Sequence, residues 1–170
     1  MAERTPARSY PDLHDHLKAL DEAGLLVTVD REINKDTEMH PLVRWQFRGG
    51  IEEKDRKAFL FTNVVDSKGN KFDMPVAVGV LAANREIYAM GMGCPVEEVQ
   101  DRWAQAIANP IPPKEISSEE APCHEVIIEG DDLDKPGNAL DAIPVPISTP
   151  GWDVVPVATL TQYVTRDPDT

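Results

Sequence analysis

Proline divides this chain. Asn109-Pro110-Ile111-Pro112-Pro113 cannot continue a helix, because proline lacks a backbone N–H and pushes the residue before it away from helical geometry. Proline then recurs at Pro122, Pro136, Pro144, Pro146, Pro150 and Pro156. The boundary belongs here, between an amino-terminal unit over residues 1–109 and a second, β-rich and incomplete unit over residues 110–170.

Before that boundary, helix and strand patterns take turns. Leu13, Leu17 and Leu20 recur at helical spacing behind Ser9-Tyr10-Pro11-Asp12, and Gly24 is a helix stop. Leu26-Val27-Thr28-Val29-Asp30 alternates and is β-branched, which predicts a strand. A turn at Asn34 to Asp36 leads into a second helix through Met39, Val43 and Phe47, ending at Gly49-Gly50. Ala58 to Thr62 and Met74 to Val80 are apolar runs on either side of the polar turn Asp66-Ser67-Lys68-Gly69-Asn70, so they read as two neighbouring buried strands. Asn84 caps a helix through Met90, and Pro95 with Glu97 and Glu98 begins another whose one face carries Val99, Trp103 and Ile107. The prediction is an α/β domain of about five strands. Beyond the boundary, His124 to Gly130 and Pro156 to Thr165 are strand candidates.

Composition excludes several partners. Lys and Arg number 17 against 30 for Asp and Glu, and the formal net charge of −13 opposes both nucleic-acid phosphates and anionic membrane surfaces. No apolar stretch approaches the roughly 20 residues of a membrane-spanning helix, and the amino terminus carries charges where a signal peptide is apolar; a cytoplasmic location is expected. Cys94 and Cys123, two and far apart, fit reduced thiols.

Three groups invite a functional reading. His14 and His16 lie two apart on a helix and point to different sides, so with His40 they do not make the one-face pair of a helical metal site; surface or partly buried histidines are expected. Glu125, Glu129, Asp131, Asp132 and Asp134 lack the spacing of a calcium loop and read as a solvated face and turn. Arg44 and Arg48, one helical turn apart beside Trp45 and Phe47, either meet a carboxylate or partner surface or, more ordinarily, flank a buried aromatic. No nucleophile stands with its base.

Several stretches in order resemble the UbiD-like decarboxylases that use prenylated flavin mononucleotide. They are Asp12-Leu13-His14-Asp15-His16-Leu17, Gly24 to Glu32, Phe59-Leu60-Phe61-Thr62-Asn63-Val64, Asp73-Met74-Pro75-Val76, Ala121 to Val126, Ile143-Pro144-Val145-Pro146 and Val164 to Thr170. The resemblance implies an amino-terminal α/β domain followed by the start of a split β-barrel flavin-binding domain. It also implies reversible loss of carbon dioxide from an aromatic or α,β-unsaturated carboxylic acid. The cofactors it implies for the full-length enzyme are prenylated FMN with a divalent metal (Mn or Mg) and K, in a homo-oligomer.

The family's metal and flavin-phosphate ligands are an Asn soon after the Asp-Pro turn, then a His and a Glu, with an Arg and two Glu residues managing proton and substrate; none has a counterpart among these residues. Thr159 is the one residue the resemblance places near the cofactor, and no catalytic or metal-binding residue is assigned. A chain closing on Asp167-Pro168-Asp169-Thr170 directly after a strand-like run is expected to be the front part of something longer, inactive alone. A second reading is a non-catalytic accessory or scaffold subunit that docks on a catalytic partner through an unfinished strand near Val157 to Val164.

Overall fold

The structure, a computed structural model, describes residues 12–112, 115–121, 124–139 and 142–145. Asp12 is extended and its side chain accepts the Asp15 backbone N–H at 3.1 Å, which starts α1 (Leu13–Glu22). Gly24, with φ +67, ends it in the left-handed conformation that other residues avoid. The helix buries Leu20 and His16, while Leu13 at its exposed start is 50% accessible.

Six short strands are found among the described residues, one more than expected: β1 (Leu26–Val29), β2 (Ile33–Asn34), β3 (Ala58–Phe61), β4 (Val64–Val65), β5 (Lys71–Phe72) and β6 (Val76–Val78). They form two three-stranded sheets, ordered β1-β3-β6 and β2-β4-β5, each with one parallel and one antiparallel ladder. The parallel pairs need a crossover. It is supplied by one π-helical turn over Lys35–Met39 running into α2 (His40–Arg48).

The two sheets are joined end to end. Leu26 pairs with Ala58 and Val29 with Phe61, whereas Ile33 pairs with Val64, so three residues (30–32) stand opposite two (62–63). That one-residue surplus works as a bulge, bending the ladder where Thr62 N–H donates to the Val29 carbonyl and Ile33 N–H to the Asn63 carbonyl.

The strands alternate their side chains between two cores. On one face Leu20 of α1 and Ile87 of α3 (Arg85–Met92) pack with Leu25, Ala58, Val80 and Ala83. On the other, Ile33, Met39, Val43, Phe61 and Val64 pack together, with Phe59, Val76 and Val78 at the edge. Helices therefore cover both faces of the sheet, and each wholly buried Leu, Ile or Phe contributes about 1.5–3 kcal/mol by leaving water. Asn84 caps α3 through a 2.8 Å bond from Ile87 N–H, and its amide donates to the Arg56 carbonyl; Gln46 grips Lys57 through both its amide atoms at 2.9 Å.

Gly79 (φ +74) turns the chain out of β6 so tightly that an added Cβ would lie 3.1 Å from that of Ala83.

The face of α4 (Val99–Ala108) that carries Trp103 and Ile107 is open, with Trp103 44% and Ile107 74% exposed. One expectation fails. Residues 124–129 form no strand: they run as bends and irregular, exposed chain and pair with none of the described strands. The candidate strand Pro156 to Thr165 lies outside the described residues. No helix among them is long and apolar enough to cross a membrane.

Candidate functional site

The sequence Asn34-Lys35-Asp36-Thr37-Glu38 builds an unusual local arrangement. Asn34 Oδ1 accepts the backbone N–H groups of Asp36 (2.9 Å) and Thr37 (3.2 Å), and Glu38 Oε2 in turn accepts Asn34 N–H at 2.8 Å. This is a reciprocal helix-start box whose acid lies four residues on rather than three, matching the wider π-helical turn. Its consequence is burial of Lys35 and Asp36, which would otherwise sit on a solvated turn.

Lys35 Nζ donates to Asp36 Oδ1 at 2.6 Å and to the Val145 carbonyl at 2.9 Å, 110 residues along the chain. It also stands 5.8 Å from the centre of the Phe72 ring. Asp36 Oδ2 accepts Ser67 N–H at 3.1 Å, tying the pair to the β4–β5 hairpin. Beside it opens a cavity of about 800 Å³ lined by Lys35, Asp66, Lys68, Lys71, Phe72 and Ile143.

Asp66 is committed to its own turn. Burial pushes its carboxyl up, but hydrogen bonds from the Asn70 side chain and from the backbone of Asn70 and Lys68 outweigh this and hold it below the usual carboxylate range. Lys71 pairs with Glu32 at 3.3 Å. The arrangement is thus built to hold chain segments together, and it presents no nucleophile activated by a base.

A second cleft, about 550 Å³, lies between α2, α3 and α4 and is lined by Phe47, Glu53, Arg56, Arg85, Tyr88 and Glu97. Arg56 stacks on the Phe47 ring at 5.1 Å. Glu53 Oε1 accepts Arg85 N–H at 2.6 Å, so the positive end of α3 already holds a carboxylate.

Glu38 gives the site a pH dependence. The Asn34 backbone N–H first, and the Arg31 side chain at 3.1 Å second, hold its carboxyl below the usual 4.5. A carboxyl whose folded value is depressed stabilises the fold above its unfolded value and loses that contribution as pH falls through the folded one. The side chain is 45% exposed, so screening limits the effect. Glu38→Gln is expected to cost under about 1 kcal/mol at neutral pH, a difference that closes once the pH is well below 4.5, as read by urea unfolding at both.

The histidines, acids and arginines singled out in the sequence do not converge on one site. His14 is exposed, but His16 is buried, contrary to expectation: its Nε2 lies 2.7 Å from the Val80 carbonyl, where the inner side of α1 meets the end of β6. Glu125, Glu129, Asp131, Asp132 and Asp134 are exposed, and Asp132 pairs with Lys135. Arg44 and Arg48 do not flank a buried aromatic. The inner side of α2 is occupied by Val43 and Gln46, which leaves Trp45 61% and Phe47 43% exposed. Cys94 is a half-buried free thiol. Thr159 and Cys123 lie outside the described residues.

Among the described residues no three His, Cys, Asp or Glu side chains gather as a cation site, and neither cavity offers a free carboxylate cluster; these residues do not fit a divalent metal with a flavin phosphate. No chemical step is derived from them. Nothing in the local sequence pattern signals the buried Lys35–Asp36 pair, since adjacent opposite charges in a turn ordinarily face water.

A family model of the 3-octaprenyl-4-hydroxybenzoate carboxy-lyase N-terminal domain matches residues 17–107, more than half of the chain. Among solved structures, the chain is similar to the UbiD-class enzyme HmfF from Pelotomaculum thermopropionicum in complex with FMN, at 29% identity and a TM-score of 0.58 over 79% of this chain and 26% of that one. An evolved dimeric form of HmfF in complex with prFMN matches at 30% identity and a TM-score of 0.58, over 79% and 27%. Vanillic acid decarboxylase from Sedimentibacter hydroxybenzoicus (ShVdcCD), in open form, matches at 25% identity and a TM-score of 0.55, over 73% and 26%. The chain spans about a quarter of the length of these structures.

Proposed function

We propose, from the premise that this chain belongs to the UbiD carboxy-lyase family and carries its N-terminal domain, that it is the front portion of a reversible decarboxylase working through prenylated FMN. The observation that supports this most directly is the agreement of the family match over residues 17–107 with a fold shared with UbiD-class enzymes. The substrate class is an aromatic or α,β-unsaturated carboxylic acid, in line with the vanillic acid decarboxylase among the similar structures. Residues 1–109 form the amino-terminal α/β domain, and residues 110–170 begin a split-barrel flavin domain in which Thr159 borders the cofactor.

When bound, prenylated FMN would supply the electron sink for carbon dioxide loss, together with a divalent metal (Mn or Mg) and K. The residues described here do not form that site, so this chain's own contribution is support: a two-faced α/β layer that positions the start of the second domain. The reading includes a cytoplasmic enzyme that assembles as a homo-oligomer.

The test compares two proteins expressed with prenylated-FMN supply, the full translation product of the gene and residues 1–170 alone. The full product is expected to carry flavin absorbance and to release carbon dioxide from a panel of hydroxybenzoic and cinnamic acids. The short chain is expected to do neither. Stoichiometric flavin on residues 1–170, or a flavin-free full product, overturns the proposal. A full translation product that ends at Thr170 and co-purifies with a separate decarboxylase subunit replaces it with the accessory reading, which the exposed Trp45, Trp103 and Ile107 favour.

A further inference from the structure

After α4 the described residues between Asn109 and Asp134 show little side-chain burial. It touches down at Pro144, which is buried, and at the half-buried Val145. The Val145 carbonyl receives a charge-assisted hydrogen bond from a lysine whose side chain is only 5% exposed. Ala142 and Ile143 of the same segment form one wall of the cavity whose other wall is the β4–β5 hairpin, and Asp36, the ionic partner of Lys35, is tied to that hairpin at Ser67.

We infer that Lys35 is a latch: its buried ammonium pins the segment from Ala142 to Val145 against the β4–β5 hairpin, so the first domain fixes where the following chain departs. Three features carry this. A buried ammonium is costly to desolvate, and its carboxylate neighbour alone would satisfy it equally well facing water. The contact joins positions 110 apart. The Asn34–Glu38 box sets the π-helical turn that holds Lys35 inward. Lys35 acts here as a positioning residue, and the latch needs nothing from the flavin.

Amide hydrogen exchange of the 170-residue chain tests it. The substitution pair K35M/D36N removes both charges, while the side-chain amide introduced at position 36 can still accept the Ser67 N–H. Exchange at Ala142, Ile143 and Val145 is expected to rise roughly tenfold or more, with β1 and β3 as protected as before. Unchanged exchange at those three amides in a folded variant overturns the latch. Pro144→Gly covers the case in which that variant does not fold, since it alters the strap and leaves Lys35 in place. In it, acylation of Lys35 Nζ by acetic anhydride, followed by mass spectrometry, is expected to become about tenfold faster as the strap lifts. A Lys35 that stays as shielded when the 142–145 amides are exchanging freely overturns the latch equally.

Discussion

Phe61→Ala is expected to remove about 3–5 kcal/mol of stability, the largest loss available from one core side chain here, measured as a lower urea midpoint with an unchanged slope. Phe61 is fully buried and sits at the end of β3, the central strand of its sheet, paired with Val29 on one side and Val76 on the other. Its ring packs parallel to Phe59 with centroids 5.8 Å apart and closes the cluster of Ile33, Met39, Val43 and Val64. Those neighbours come from strands of both sheets and from the crossover helix, so the site cannot collapse by moving a single element. Met39 is the one flexible side chain of that cluster within reach of the vacancy, and its partial filling keeps the cost from going higher. Against the 5–15 kcal/mol of an ordinary domain, such a loss leaves little reserve. A cost under about 1 kcal/mol would show that this cluster is not where the two sheets are joined.

How far the fold was legible follows from what each residue needs. Gly24 and Asn84 announced their roles because capping and left-handed geometry are local demands, met within a few residues of the chain. The run at Ala58 announced its strand because a strand buried between helices must be apolar, and the run at Leu26 because it alternates and is β-branched. β4 and β5, two residues each, are too short to show any period, and their existence depends on partners elsewhere in the chain. The same dependence defeats the expectation for His124 to Gly130, whose β-branched run has the propensity of a strand but pairs with no strand among the described residues.

The helix face at Trp103 and Ile107 shows that periodicity reports what a face can bury; Trp103 instead donates its indole N–H to the Tyr88 hydroxyl at 2.5 Å. The Lys35–Asp36 pair was least legible of all. Its burial depends on a segment 110 residues away and on a π-helical turn that no local pattern specifies. The family resemblance, by contrast, was carried by ordered short stretches spread through the chain, and the match over residues 17–107 bears it out.

Lys35→Met alone is expected to cost about 3–5 kcal/mol, several times more than K35M/D36N. Lys35 and Asp36 side chains are 5% and 10% exposed, so removing the ammonium takes an ion pair at 2.6 Å from the Asp36 carboxylate in a place water does not readily reach. The carboxylate keeps its hydrogen bond from Ser67 N–H, but a backbone donor does not replace a full positive charge at 2.6 Å. The double substitution removes the carboxylate charge together with the ammonium, and the amide oxygen it places at position 36 remains an acceptor for Ser67, so its global stability is expected to fall within about 1 kcal/mol of the parent chain. Urea unfolding of the three proteins at neutral pH reads the contrast. A large single-substitution loss largely rescued by the second change identifies a desolvated pair whose members depend on each other. Equal and small losses would place both groups in water, and with them the end of the strap that Lys35 holds at Val145.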